Sequence, residues 1–498
     1  MLSLYQPEAP VVVIGSGLSG MAAALALSRF DLPVMILEAS DSVGGCCSTT
    51  CVSGFSFNNG AVYVAVPSLL RAAFDHLGLD LDVEAPLVQI NQPHETHLDD
   101  GAVVQLSNLA DSHVYGPGAR RRTAMLRDGL AALQEHWGPV YRALVNDVLP
   151  FEPSLPRTLT KIWRYLPRMS GKVDQVIATH FADEGLRSAV ASTLLYTGAA
   201  PDRLPATQII GLMALLEEGF YLPRAGMGAI TDALLRALQR QSVPVRLGAR
   251  VDRIEVVNGR VEGVRLANGD HIAAKHVVAT CSGFEVLDRM LSKEVVPQHL
   301  SRLASRAPLS HRAIAVQLGV SGLAKTGAFS VNYVPPMQEQ GHMHFATRGV
   351  PRWFSYTHPT RVLPDLAPQD RDIIEFYAPV SGVASVAYWS RAMTESIVES
   401  YMKALVSRLP RLQVEVIRVI DPKEFANAHN LYEGALYGIA PGAPPNKLFP
   451  HRSPIEGLYF AGQTTFPGYG VPSVMFSSIQ AANALMKATG QKLARFRG

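Results

Sequence analysis

The chain has 498 residues, 48% hydrophobic and 17% charged, with a formal net charge of +3. That length can hold two domains and a large core, and the composition excludes a disordered polypeptide. Near-neutral charge, with no basic block larger than Arg120-Arg121-Arg122, excludes a nucleic-acid-binding protein. That arginine cluster reads as a solvated turn, or as a contact for anionic lipid headgroups.

The first element is an apolar strand from Val11 that runs into Gly15-Ser-Gly17-Leu18-Ser19-Gly20 and an alanine-rich helix. A second apolar strand, Val34 to Leu37, stops on Glu38 followed by Ala39. Glycines at this spacing let the backbone turn tightly and approach a pyrophosphate, which then sits on the unpaired amides of the helix N-terminus. An acid at the end of the second strand can hold a ribose hydroxyl. Val43-Gly44-Gly45-Cys46 follows, and then Gly54 to Gly60-Ala61, which also reads as a β-hairpin.

Cys46, Cys47 and Cys51 crowd this loop and Cys281 ends a later strand. With no Cys-x-x-Cys pair and no histidine cluster, no metal site is expected. Reduced, packed thiols point to a reducing compartment, the cytoplasm. The residues before the first strand carry no charged leader, and no run reaches the apolar length of a membrane span.

Tyr63 to Leu79 is expected to be helical, and Leu81 to Leu106 to form short strands around Asp99-Asp100-Gly101. Leu126, Leu130, Leu133, Trp137, Val140, Tyr141 and Leu144 recur at helical spacing, giving a helix over Met125 to Val148. Residues 157–169 interleave bases with Trp163, Tyr165 and Leu166, a pattern that suits a bilayer interface. A domain helix with snorkelling arginines accounts for the same residues. Gly116-Pro-Gly118 lacks a third glycine and reads as lacking a preceding strand, so no second dinucleotide site is expected.

Tyr221 to Gly228 leads into a helix over Thr231 to Gln239. Asn258-Gly259 and Asn268-Gly269 then punctuate alternating runs from Val251, the pattern of a β-meander. His276 to Thr280 re-enters as a buried strand. Arg352 to Pro359 reads as an aromatic loop, either core or the lining of an apolar tunnel; His342 and His344 form too small a set for a metal. Near the end, a strand reaches Ala461-Gly462-Gln463, a turn runs through Phe466-Pro-Gly-Tyr469-Gly470-Val471-Pro472, and a helix is expected from Ser473 to Met486. The positive end of such a helix suits an electron-rich ring edge.

Taken together, these motifs resemble the phytoene desaturase family of FAD enzymes, which includes carotenoid cis–trans isomerases and retinol saturases. The resemblance implies an α/β fold: a Rossmann-like FAD domain of the two-dinucleotide-binding type with an inserted α+β substrate domain. The expected FAD-binding parts are 1–75, 216–295 and 421–498, and the substrate parts 76–215 and 296–420. FAD contacts are implied for Gly15, Gly17, Leu18, Ser19, Gly20, Glu38, Ala39, Gly44, Gly45, Cys46, Gly60, Ala61, Val251, Gly462, Gln463, Gly470, Val471 and Pro472. Tyr63, Arg224 and Tyr469 are expected to border the flavin as candidate catalytic groups. The chain departs from the family pattern at Asn58, where Asp is usual, and at Arg224-Ala225-Gly226, which replaces a more usual Gly-Gly pair. Gln463 stands where amine oxidases tend to carry Glu.

The activity implied is hydride transfer between flavin and a C–C bond of an apolar polyene or isoprenoid, as desaturation or saturation. The rivals are a reduced-flavin double-bond isomerase, an amine or amino-acid oxidase, and a lipid-binding escort similar to the Rab dissociation inhibitors. A peripheral membrane contact is a further expectation; the electron acceptor or donor is left open.

Overall fold

The computed structural model describes residues 9–30, 32–323, 327–340, 351, 353–380 and 385–490. Five short strands form one parallel sheet in the order Val245–Arg246, Val34–Leu37, Val11–Ile14, Val277–Ala279, Leu458–Phe460. These are apolar runs because both faces of the sheet are covered. Val11, Val13 and Ile36 pack with helix Leu18–Ser28, and Val12, Ile14 and Leu37 pack with the strands Val251–Val257 and Arg260–Leu266 on the other side. From Val11–Ile14 the strand order runs outward on one side to Val34–Leu37 and Val245–Arg246 and on the other to Val277–Ala279 and Leu458–Phe460. Open α/β sheets bind ligands at the carboxyl ends flanking such a switch in strand order.

Helix Leu18–Ser28 is buried from Leu18 to Leu27, which explains its near-uniform apolar sequence. It packs against helices Gly228–Arg240 and Val471–Ala488. Gly20 makes that packing close: a Cβ there would lie 1.8 Å from the Gly15 carbonyl oxygen.

The second large sheet has eight strands. Its order is Gln413–Ile420, Arg312–Ser321, Asp372–Val380, Phe354–Thr357, Ser330–Tyr333, His94–His97, Val103–Leu106, His113–Tyr115. All neighbours are antiparallel except Ser330–Tyr333 beside His94–His97. Its strands fall in 76–215 and 296–420, and those of the parallel sheet in the other three parts.

Several elements differ locally from the sequence expectation. The helix expected from Tyr63 starts at Pro67, because Val64 bridges Tyr221 in extended backbone and Pro67 takes the first helical turn. Leu81–Glu84 is a helical turn capped by Asp80, and strands begin only at Leu87. The long helix spans Ala119–Ala143 and relaxes into a π-turn over Leu144–Val148. Gly116-Pro-Gly118 does follow a strand, His113–Tyr115, but that strand is the edge of an antiparallel sheet and not part of a βαβ unit.

The Arg352 to Pro359 stretch is not a loop at its centre: Phe354–Thr357 is a fully buried strand inside the eight-stranded sheet. Arg352, His342 and His344 lie outside the described residues. The meander occupies Val251–Val257, Arg260–Leu266 and His271–Ala273, with the return strand at Val277–Ala279. The last helix starts at Val471, two residues early, because Pro472 fits its first turn.

Candidate functional site

A cavity of about 880 Å³ opens at the carboxyl ends of Val11–Ile14 and Val277–Ala279, within the size range of a ligand site. Two helix N-termini point their first turns at it. Gly17 precedes helix Leu18–Ser28 and Gly470 precedes Val471–Ala488; neither helix has a side-chain cap. Each presents unpaired amides and about half a positive charge. The helices are tied together where they meet: the Ser19 and Ser478 hydroxyls share a hydrogen bond of 2.6 Å.

The glycines of the fingerprint divide the work. Gly15 takes φ +100° and continues the strand into the turn. Gly17 has ordinary φ, yet a Cβ there would meet nothing within 4 Å. Its missing side chain therefore leaves open space in the cavity wall, a cradle that a diphosphate fits and a larger residue would fill. Gly44 and Gly45, both at positive φ, continue the wall beside Gly17: Gly44 is bridged to it, and a Cβ on Gly45 would lie 3.4 Å from the Gly17 Cα. Glu38 is 8% exposed and lines the same cavity. The Ser16 amide and hydroxyl donate to its Oε2 at 2.6 and 2.8 Å, and the Ser40 amide donates to Oε1 at 2.9 Å. These bonds aim a fixed acceptor at the place a ribose would occupy.

The other cavity-lining residues named from the sequence are Leu18, Ser19, Ala39, Cys46, Gly60, Ala61, Tyr63, Val251, Gly462, Gln463, Tyr469 and Val471. Three named residues lie elsewhere. Gly20 is buried behind the turn against the Gly15 carbonyl, so its role is helix–strand approach. Pro472 is buried in the first turn of its helix, off the cavity wall. Arg224 is exposed: it follows strand Tyr221–Pro223, and its amide donates to the Pro86 carbonyl while its side chain faces solvent.

Sequence reasoning missed several lining groups. Tyr196 and Tyr437 join Tyr63 and Tyr469 in an aromatic cluster whose members are each half-buried on the cavity wall. Tyr437 stacks on Tyr469 with centroids 4.4 Å apart, its hydroxyl donates to the Tyr196 carbonyl at 2.5 Å, and Tyr63 stacks on Phe220 at 4.4 Å. Burial pushes all four phenols up, so they stay neutral. His311 meets the edge of Tyr437, and Trp353 and Ser355 complete this wall. The aromatic stretch was the one sequence signal for that lining. Asn59, inside the Gly54 to Gly60 stretch, also lines the cavity, as do Arg250, Glu285 and Arg418, which nothing local in the sequence marked.

Cys46, Cys47, Cys51 and Cys281 are free. Burial pushes the cavity-lining thiols of Cys46 and Cys281 up to about 11 and about 12, which keeps them protonated and unreactive. Among the described residues, no group of three or more His, Cys, Asp or Glu is placed to hold a metal.

Comparison with known proteins agrees with this donor set. Residues 18–486 match the family model of flavin containing amine oxidoreductases. The chain is 26% identical to a phytoene desaturase of Neurospora crassa, over 99% of this chain and 87% of that protein. It is 25% identical to a zeta-carotene-forming phytoene desaturase of Myxococcus xanthus, over 96% and 93%. Its fold superposes on cyclohexylamine oxidase from Brevibacterium oxydans IH-35A with a TM-score of 0.62 at 18% identity, covering 97% of this chain and 100% of that one. Two uncapped helix ends, an open glycine cradle and a fixed acid are what an FAD nucleotide requires, and the chain belongs to the flavin containing amine oxidoreductase family as an FAD-dependent oxidoreductase similar along nearly its whole length to phytoene desaturases.

Proposed function

We propose that this oxidoreductase introduces a double bond into a carotenoid-class polyene. The observation that carries the reading is the neutral aromatic wall formed by Tyr63, Tyr196, Tyr437, Tyr469 and Trp353 in the cavity, together with the full-length likeness to phytoene desaturases. FAD supplies a two-electron hydride acceptor when bound. The chain's own contribution is alignment and dryness: flat, uncharged side chains hold an apolar rod without offering it a charge, and they exclude water from the reacting carbons.

Amine oxidation is less well supported. Tyr437 and Tyr469 close on each other at 4.4 Å and leave no slot between them for an ammonium group. Anaerobic titration of the FAD-loaded protein with polyenes and with primary amines tests the choice. Bleaching of the flavin band by a polyene such as phytoene is the expected result. Bleaching by amines alone would assign the site to amine oxidation. A band that no substrate bleaches would favour saturation or isomerisation, to be sought with the photoreduced protein.

Delivery of such a substrate favours contact with a lipid surface. No described helix is long and apolar enough to cross a membrane. Helix Leu155–Ile162, however, exposes Leu155 (72%) and Leu159 on one face, and Trp163 (60%) and Leu166 follow among Arg157, Lys161, Arg164 and Arg168. Apolar side chains ringed by cations suit an anionic bilayer interface. Tyr165 is half-buried and packs on the core, so it is not part of that surface. Leu159→Ser with Trp163→Ser is expected to weaken co-sedimentation with phosphatidylserine-containing liposomes about tenfold or more. Equal sedimentation of variant and wild type would exclude this surface.

A further inference from the structure

We infer that Glu375, Gln317 and Arg418 form a cross-strand row that aims the Arg418 guanidinium at an anionic group of the bound flavin nucleotide. The inference rests on FAD occupying the cavity and is independent of which substrate the enzyme oxidises.

The three residues sit side by side on adjacent strands of the eight-stranded sheet. Gln317 pairs directly with Glu375 on one side and with Arg418 on the other. Residues opposite one another in this way share one face of a sheet and lie within side-chain reach. The chemistry of the row has a direction. Glu375 accepts from Gln317 Nε2 at 3.2 Å and from the Asn58 amide at 3.1 Å, while Gln317 Nε2 also donates to the Asn58 carbonyl. That leaves Gln317 Oε1 facing the other way, where Arg418 Nη1 donates to it at 2.6 Å. A carboxyl on one side and a guanidinium on the other thus hold the central amide in one orientation.

Arg418 is where the row reaches the cavity. Its Nη1 also donates to Asn59 Oδ1 at 2.7 Å, and both residues line the wall. Asn59 Nδ2 in turn donates to Ser48 Oγ at 2.7 Å, and Ser48 Oγ donates to the Gly45 carbonyl at 2.7 Å. The guanidinium is therefore anchored to the loop that lies directly beside Gly17, bridged to it through Gly44. Both anchoring bonds use a single nitrogen of a five-donor group. Glu424, on the same wall, is the other carboxylate in its field. The guanidinium is a counter-charge to the Glu375 and Glu424 carboxyls, and its remaining donors are left over from that structural role. Those donors suit an anion that enters from the cavity side, where Arg418 lines the wall.

That anion is a phosphate oxygen of the FAD diphosphate or the negative charge of the reduced ring, and two measurements separate them. In the holoenzyme, Arg418→Gln is compared with wild type for retention of oxidised FAD on dilution and for flavin midpoint potential. About tenfold weaker retention with an unchanged potential assigns Arg418 to the diphosphate. Unchanged retention with a potential about 30 mV lower, a tenfold selective loss of the reduced form, assigns it to the reduced ring. Arg418→Lys, which keeps the charge, is expected to restore most of either effect. Glu375→Leu, which frees the Gln317 amide to turn, is expected to reproduce it at smaller size. If Arg418→Gln does not accumulate as folded protein, Gln317→Met keeps the side-chain volume, breaks the row and is read in the same way. Wild-type retention and potential in these variants, or a loss that lysine does not restore, would overturn the inference. Neither result depends on turnover, so each stands apart from the polyene titration.

Discussion

Gly20→Val is expected to leave little folded protein, whereas Gly17→Val, three residues away, is expected to fold and lose its flavin. At position 20 a Cβ lies 1.8 Å from the Gly15 carbonyl oxygen. That atom is backbone at the end of a central strand and cannot step aside, so the cost exceeds about 4 kcal/mol. At position 17 the backbone is ordinary and the space in front of it is open. Valine is accommodated by the apoprotein but occupies the cofactor cradle, at about 3 kcal/mol, or about a hundredfold in affinity. Soluble yield, the melting temperature of the apoprotein and bound FAD per chain separate the two outcomes. Equal flavin content in Gly17→Val and wild type would show that the nucleotide does not cross this turn.

The second large effect concerns pH. Glu375 is 2% exposed, and burial pushes its carboxyl up from 4.5 to about 7, against the weaker pull of the Asn58 amide, Gln317 and Arg418. Tyr377, the other titratable group beside it, is driven higher still by burial and by the Glu375 charge, and stays neutral. A folded-state value above the unfolded one means that the contribution of Glu375 to stability is fully present below about pH 4.5. It is lost as pH rises through about 7. The change is about 3 kcal/mol.

Glu375→Gln keeps an acceptor for the Asn58 amide and has no charge to bury. Its stability relative to wild type is therefore expected to rise by about that amount between pH 5 and pH 8. Denaturant unfolding of both proteins across this range measures it, and a pH-independent difference would refute the assignment. His94 acts on the acid side. It is fully buried, and burial lowers its imidazole to about 4, so its contribution is lost as pH falls from about 6.5 toward 4.

The parts of the site legible in the sequence were those encoded locally. Gly15 to Gly20, Glu38 and the Gly462 to Pro472 turn announced themselves because glycine, an acid and proline have narrow geometric uses at fixed spacing. Even there, spacing did not separate Gly17, which faces the cavity, from Gly20, which faces a strand; that distinction depends on where the Gly15 carbonyl points. The Gln317 row was invisible because it is set by register between residues 58 and 101 apart in the chain, and register is not written in any one strand. Tyr196 and Tyr437 were missed for a related reason: each lies in a short irregular segment whose approach to the cavity depends on tertiary packing. Arg224 failed in the opposite sense, since a family-like turn was read without the strand pairing that turns its side chain outward.

The hydrogen bond between Ser19 and Ser478 spans 459 residues of chain, and it fixes when the protein can acquire its colour. On a ribosome adding about 5–20 residues per second, the glycine turn emerges roughly 20 to 90 s before the helix that completes its pocket. During that interval the nucleotide has only half a binding site, and the apolar strand and helix around the turn lack their last partner. Flavin loading is thus a property of the finished chain, and the cofactor acts as a late clasp between its two ends.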